Sequence, residues 1–244
     1  IAKELGIQVL ELQHGVMHKE HAAYQYVKNS EIKQFPDSLL LFSNYWKQQI
    51  NVPVSEKKLR VVGFPYFEKS LSVNKKQNKG KRKILFISQG TIGVELAMFA
   101  YELNEILRKN KETYELVYKL HPEEYDIWRE KYGELLNGVS VIDNSNISIY
   151  KLFSEADIQV GVYSTAIYEG LGYQLETYIY NIGHASIMND LCEEGYARFV
   201  NNPDEMVAFL RMGNINTEGA SSMDFWCRDS LNNIMNVIFE VLNS

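Results

Sequence analysis

The chain has 244 residues, with 31 acidic against 25 basic side chains and a formal net charge of −6. Hydrophobic residues make up 45% and charged residues 23%, an ordinary globular composition with length for one large domain or two small ones. The acidic balance argues against a nucleic-acid partner, and two cysteines, Cys192 and Cys227, are too few for a disulfide framework. No apolar run approaches the ~20 residues of a membrane helix. A reducing, cytoplasmic compartment is the expectation.

Taken in chain order, apolar β-rich runs alternate with helical patterns. The opening IAKELGIQVLELQHG reads as folded structure rather than a signal peptide, with a short strand at 7–12 running into Gln13-His14-Gly15. Residues 38–43 (SLLLFS) are a second strand, a helix follows at 44–50, and a third strand at 59–62 is stopped by Gly63-Phe64-Pro65. Residues 70–83 are polar, basic and without periodicity. They predict a linker with Lys75, Lys76, Lys79, Lys81, Arg82 and Lys83 in solvent. The alternative for this run is a patch for an anionic lipid or acceptor, which would bring the protein to the inner face of a membrane as a peripheral partner.

Beyond the linker the alternation is regular: strands at 84–88, 114–120, 139–142, 157–162 and 177–180, with helices at 91–110, 123–132, 148–156, 164–172, 203–211 and 223–242. Such alternation implies right-handed βαβ units, and continuous apolar strands imply a sheet buried on both faces. The predicted class is α/β, a Rossmann-like doubly wound parallel sheet preceded by the tail of a first α/β domain. The predicted boundaries are 1–70, a linker at 71–83, and 84–244.

Ligands of such sheets bind beyond the carboxyl ends of the strands, so the residues just after each strand are the candidates. Ser88-Gln89-Gly90-Thr91 is a small loop that permits close approach. His121, followed by Pro122 at the start of a helix, could hydrogen-bond a phosphate or protonate a leaving group. Ser164 and Thr165 open a helix whose free N–H groups and dipole suit an anion, although a serine there also serves as a plain cap. Glu169, one turn further, could take both hydroxyls of a ribose. Gly170 and Gly172 predict close packing or a helix end. His14, His18 and His21 suggest a metal at first sight, but they fit no recognised ligand spacing and no carboxylate or cysteine completes a set. No metal and no cofactor are expected; His14 is read as an acceptor-side group facing His121 across a cleft. The absence of GxGxxG and Walker loops leaves a nicotinamide or ATP enzyme unsupported.

Lys119-Leu120-His121-Pro122, followed some forty residues later by Ala156-Asp157 and Tyr163-Ser164-Thr165, resembles bacterial GT-B enzymes that build surface polysaccharides. The patterns are those of capsule-polysaccharide transferases, sialyl- and polysialyltransferases, and CDP-glycerol glycerophosphotransferases. Gln13-His14-Gly15 and the segment VVGFPYFEK (61–69) are similar to the capsule families. The resemblance implies that His121 contacts the donor phosphate and assists departure of the nucleotide. It implies that Ser164 and Thr165 bind the same phosphates and that Glu169 holds the ribose; Ser88, Gly90 and Thr91, from the small loop after the strand at 84–88, are read as donor-binding on their position alone. The implied reaction moves a sugar from a CMP-, CDP- or UDP-linked donor to a hydroxyl of a glycan or lipid-linked acceptor, without a metal. Gly161 stands where many retaining transferases carry a second Glu, which favours inverting enzymes or the related epimerases. A complete GT-B enzyme has two similar domains, so the front of the first is expected to lie outside this chain. The rivals are a sugar-nucleotide 2-epimerase, a glycerophosphotransferase, and a catalytically silent nucleotide-binding module.

Overall fold

The computed structural model describes residues 1–27, 32–73, 80–213 and 224–243. The chain forms two compact units, one of Ile1–Ser72 with Ser221–Ser244 and one of Val73–Ala220.

In the first unit, strands β1 (Leu10–Leu12), β2 (Ser38–Leu41) and β3 (Leu59–Val61) form a parallel sheet in that order. Helices α1 (Asn44–Gln48) and α2 (Pro65–Val73) follow β2 and β3. Leu40 and Val62 pack against Val237 of the last helix, α9 (Ser230–Leu242), with Leu10 and Ile234 at the margin. The expected boundary placed residues 84–244 in the second domain; α9 instead returns to the first. Its amphipathic periodicity marks a buried face without saying which sheet that face covers. Met223, predicted as the start of this helix, lies outside the described residues.

The segment GFPYFE acts as a clasp for that return. Gly63 has φ +85°, and a Cβ there would lie 2.3 Å from the Cys227 carbonyl oxygen and 2.7 Å from Ser230 Cβ. Pro65 opens α2, where its missing N–H costs nothing. One turn on, the Glu68 carboxylate accepts from the backbone N–H groups of Asp229 (2.8 Å) and Ser230 (2.9 Å) and from the Ser230 hydroxyl. It thereby caps the donors at the start of α9. Partial burial pushes the Glu68 carboxyl up, but the bonds from Ser230 and Asp229 outweigh it and hold it below the usual carboxylate range. So Gly63-Phe64-Pro65 does end a strand, as the sequence predicts, and it also starts a helix whose last turn, to Val73, enters the expected linker.

The second unit carries a six-stranded parallel sheet of β4 (Arg82–Ile87), β5 (Tyr114–Lys119), β6 (Ser140–Ile142), β7 (Ile158–Gly161), β8 (Glu176–Tyr180) and β9 (Arg198–Val200). The spatial order is β6-β5-β4-β7-β8-β9. Its helices are α3 (Gly93–Lys109), α4 (Trp128–Tyr132), α5 (Ile149–Glu155), α6 (Thr165–Gly172), α7 (Asn189–Glu193) and α8 (Pro203–Met212). Phe86 and Tyr118 pair in register and face α3, where Phe86 meets Phe99. Gly161, of opposite pleat parity, faces Ile167 of α6. Both faces are therefore covered, and Ile84, Leu85, Phe86, Ile158 and Val160 are fully buried.

Other expectations change here. The predicted helix over 123–132 is a 3-10 turn (Pro122–Glu124) followed by the short α4. Strand β9 and helix α7 are too short to give a periodic signal. Arg82 and Lys83 are half-buried and paired, not free in solvent: Arg82 donates to Glu176 (2.7 Å), and Lys83 lies 3.4 Å from Glu155 and 3.6 Å from Glu115. They belong to β4, so neighbouring elements supply their carboxylates. Lys81 is exposed; Lys75, Lys76 and Lys79 lie outside the described residues.

Candidate functional site

The strand order locates a crevice. From β4 the chain steps outward through β5 and β6, then crosses back to add β7 on the other side of β4. The loops leaving β4 and β7 turn to opposite faces, and ligands of doubly wound sheets bind at such a switch point. The two loops meet here: Tyr163 N–H donates to Gln89 Oε1 (3.3 Å), and the hydroxyls of Thr91 and Tyr163 are 2.7 Å apart. The His184 ring, on the loop after β8, stands edge-on to Tyr163 at 5.8 Å. Gly90 and Thr91 are exposed at the mouth.

His121 follows β5, next to β4. Its Nδ1 accepts from the Glu123 N–H (3.4 Å) and lies 3.5 Å from Glu123 Oε2. With Nδ1 an acceptor, a neutral ring carries its proton on Nε2. A Cβ on Gly90 would sit 3.2 Å from the same Glu123 Oε2, so the β4 and β5 loops adjoin at His121.

The residue that fixes this junction is Glu124, which the sequence reading passes over. It is fully buried, and its Oε2 accepts from the His121 backbone N–H (2.8 Å). Its Oε1 accepts from the Ser88 hydroxyl (3.1 Å) and from the Tyr132 phenol (2.6 Å). The Tyr118 phenol is 3.1 Å from Ser88 Oγ and 3.0 Å from the Gly93 carbonyl oxygen. Burial pushes both phenols up, and Tyr132 rises further through its bond to Glu124. Gly93 leaves room for the carboxylate, since a Cβ there would be 2.0 Å from Glu124 Oε1. The available signal is a carboxylate three residues after a cap, the capping-box spacing.

This network corrects one candidate. Ser88 is buried and its hydroxyl is spent on Glu124, so it positions the loop instead of facing a ligand. Ser164 caps α6 by accepting from Ala166 N–H (3.2 Å). Ser164 and Thr165 are both half-buried beside Tyr163, at the mouth of the crevice. Gly170 seats α6 on β7: a Cβ there would meet the buried Gln159 Oε1 at 2.0 Å, while Gln159 Nε2 donates to the Ile167 carbonyl (2.8 Å) and to Thr177 (2.9 Å).

Glu169 is half-buried in α6 and pairs with the Tyr150 hydroxyl of α5. Burial pushes its carboxyl up from 4.5 to about 7, against the smaller opposing pull of that bond. A folded-state pKa raised this way favours the protonated form, so the contribution of this group to stability is fully present below pH 4.5 and is lost as pH rises to about 7. The loss from this one group is about 3 kcal/mol. Urea unfolding between pH 5 and pH 8 is expected to show the wild type falling relative to Glu169→Gln, which cannot ionise. Parallel pH curves for the two would overturn the assignment.

His14 lies in the first unit and is exposed, one residue after the buried Gln13. Gln13 stitches that loop by donating to the Gly15 carbonyl and accepting from Phe42 N–H, both at 2.9 Å. The Nδ1 atoms of His18 and His21 accept backbone N–H groups of Glu20 and Ala23, each at 3.3 Å. Among the described residues, no group of three or more His, Cys, Asp or Glu side chains is arranged to hold a metal, and no helix is long and apolar enough to cross a membrane. A separate cavity of about 300 Å³ in the first unit is lined largely by apolar side chains, including Phe64, Phe67, Leu71 and Trp226. It lacks the polar strand-end groups that mark the crevice.

No protein-family model matches the chain, and no curated protein matches it by sequence. Solved structures do. The UDP-GlcNAc 2-epimerase of Methanocaldococcus jannaschii, in complex with UDP-GlcNAc and UDP, aligns with TM-score 0.65 at 12% identity, covering 98% of this chain and 70% of the epimerase chain. The fold is GT-B-like. The S. aureus MnaA structure with UDP aligns with TM-score 0.68 at 12% identity over 99% of this chain and 71% of that one. The H444N variant of the wall teichoic acid polymerase TagF aligns with TM-score 0.60 at 12% identity over 98% and 70%. Their Rossmann-like, parallel α/β architecture is the one described above.

Proposed function

We propose that the second unit binds a nucleotide-activated sugar at the β4–β7 crevice and that the protein is a glycosyltransferase of surface-polymer synthesis. One observation supports the reading: the loops after β4 and β7 meet through Tyr163, Gln89 and Thr91, and the loop after β5 that carries His121 adjoins Gly90 through Glu123. In this mechanism the α6 N–H groups and the Ser164-Thr165 hydroxyls hold the donor phosphates. Glu169 takes the ribose, and Gly90 and Thr91 allow close approach. His121 Nε2–H stabilises the departing nucleotide, and the developing negative charge meets fixed donors instead of reorganising water. His14 is the acceptor-side group of the same proposal, and a hydroxyl of a glycan or lipid-linked acceptor takes the sugar.

The neighbouring structures favour two related readings as much as this one, a sugar-nucleotide 2-epimerase and a glycerophosphotransferase-type polymerase. An epimerase interconverts its UDP-sugar with no acceptor present, and a glycerophosphotransferase turns over CDP-glycerol. Thermal melting with CMP, CDP, UDP, GDP and their sugar conjugates in EDTA tests the shared premise. One nucleotide class is expected to raise the midpoint by about 5 °C or more at 100 times its Kd. No shift from any of them would sink the reading; a shift only without EDTA would remove its metal independence.

A further inference from the structure

Lys119, the last residue of β5, is a buried cation that the preceding mechanism leaves unused. Its side chain is nine-tenths buried, at 9% exposure. Nζ donates to the Tyr125 phenol (2.5 Å) and the Asn144 carbonyl oxygen (3.1 Å), and lies 4.7 Å from the centre of the Tyr125 ring. Among the described residues no carboxylate pairs with it. The neighbouring acids are engaged elsewhere, Asp143 by Arg129 and Glu124 by Ser88, Tyr132 and the His121 N–H. An ammonium has three donors, and one remains. Buried charges are ordinarily paired, because an uncompensated one keeps its full desolvation penalty.

The register says which charge would compensate it. Lys119 pairs with Ile87 of β4 on one side and Ile142 of β6 on the other. Phe86 pairs with Val160, so Gly161, the next residue of β7, shares the sheet face of Ile87 and Lys119, and α6 packs there. At about 4.8 Å per strand, the ends of β5 and β7 stand roughly 10 Å apart across β4. The Lys119 side chain leaves the first, its ammonium held by Tyr125 and by the Asn144 carbonyl beyond β6, and the positive start of α6 lies past the second. Two linked phosphates above the end of β4 would sit within reach of both fields, whereas a single phosphate held by α6 gains less from the far one.

We propose that Lys119 supplies counter-charge for a diphosphate, so that the site selects nucleoside-diphosphate-linked donors over CMP-linked ones. This rests on the nucleotide reading of the crevice. Titration calorimetry with uridine and cytidine, UMP and CMP, and UDP and CDP, at fixed salt and in EDTA, tests it on the full chain. The wild type is expected to bind the diphosphates at least 10-fold tighter than the monophosphates. Lys119→Met is expected to weaken the diphosphates about 10- to 100-fold, the size of one screened charge at several ångströms. It should weaken monophosphates less and nucleosides less than 2-fold. The unliganded variant should melt within a few degrees of wild type, since the lost partners are a half-buried phenol and a carbonyl on an exposed residue. Lys119→Gln, polar but uncharged, carries the test if the methionine variant does not fold.

An equal loss for nucleoside and diphosphate would reassign Lys119 to holding the loops and overturn the proposal. So would unchanged diphosphate affinity in the variant, or wild-type CMP binding as tight as CDP. Wild-type protein that binds none of the six overturns the nucleotide reading itself, and this inference with it.

Discussion

Replacing His121 with alanine is expected to lower turnover of the donor by about 10²- to 10⁴-fold while weakening nucleotide binding by less than about 10-fold. The asymmetry follows from where the imidazole proton sits. Nδ1 is occupied by the Glu123 N–H, so the ring offers its proton through Nε2. That proton matters most when the leaving phosphate gains charge. In the proposed mechanism, ground-state binding is shared with the start of α6 and its hydroxyls, and the substitution leaves the Ser164 cap of that helix intact. The loop should also hold its shape, because Glu124 grips the backbone N–H of residue 121, which alanine retains. Steady-state kinetics beside calorimetry decide the matter. A loss of affinity with no further loss of turnover would favour the silent nucleotide-binding module.

Gly63→Ala is expected to destabilise the first unit by at least about 3 kcal/mol. A non-glycine residue at φ +85° costs about 1–2 kcal/mol by itself. The added Cβ, 2.3 Å from the Cys227 carbonyl, strikes backbone that no rotamer change can clear. Relief requires residues 227–230 to withdraw, which removes the Glu68 cap on α9 and loosens Val237 from Leu40 and Val62. The measurement is urea unfolding together with hydrogen exchange of the α9 amides. Loss of protection in α9 with the six-stranded sheet unaffected is the expected pattern; wild-type stability would show that the clasp does not hold the helix.

Much of the second unit is legible in the chain because its strands are short continuous apolar runs punctuated by small or polar residues. The loops Ser88–Thr91, His121–Pro122 and Tyr163–Thr165 can be marked from that punctuation alone. Glu124 could not be weighted in the same way. Its burial depends on donors from Ser88, Tyr132 and the His121 backbone, supplied by three segments that meet only in the fold. Lys119 reads as one polar letter ending a strand until its neighbours show that, among the described residues, no acid pairs with it.

Local alternation by itself determined the α/β class, the parallel sense of the sheets and the residues standing at strand ends, because pleat and helix periodicity are written in nearest neighbours. Only the tertiary structure decided that β4 lies between β5 and β7, which makes one crevice of three loops. It also decided that Ser88 turns inward and that α9 crosses back to the first sheet. Strand order and the destination of an amphipathic face are set by long-range packing, and identical local patterns are compatible with many such arrangements.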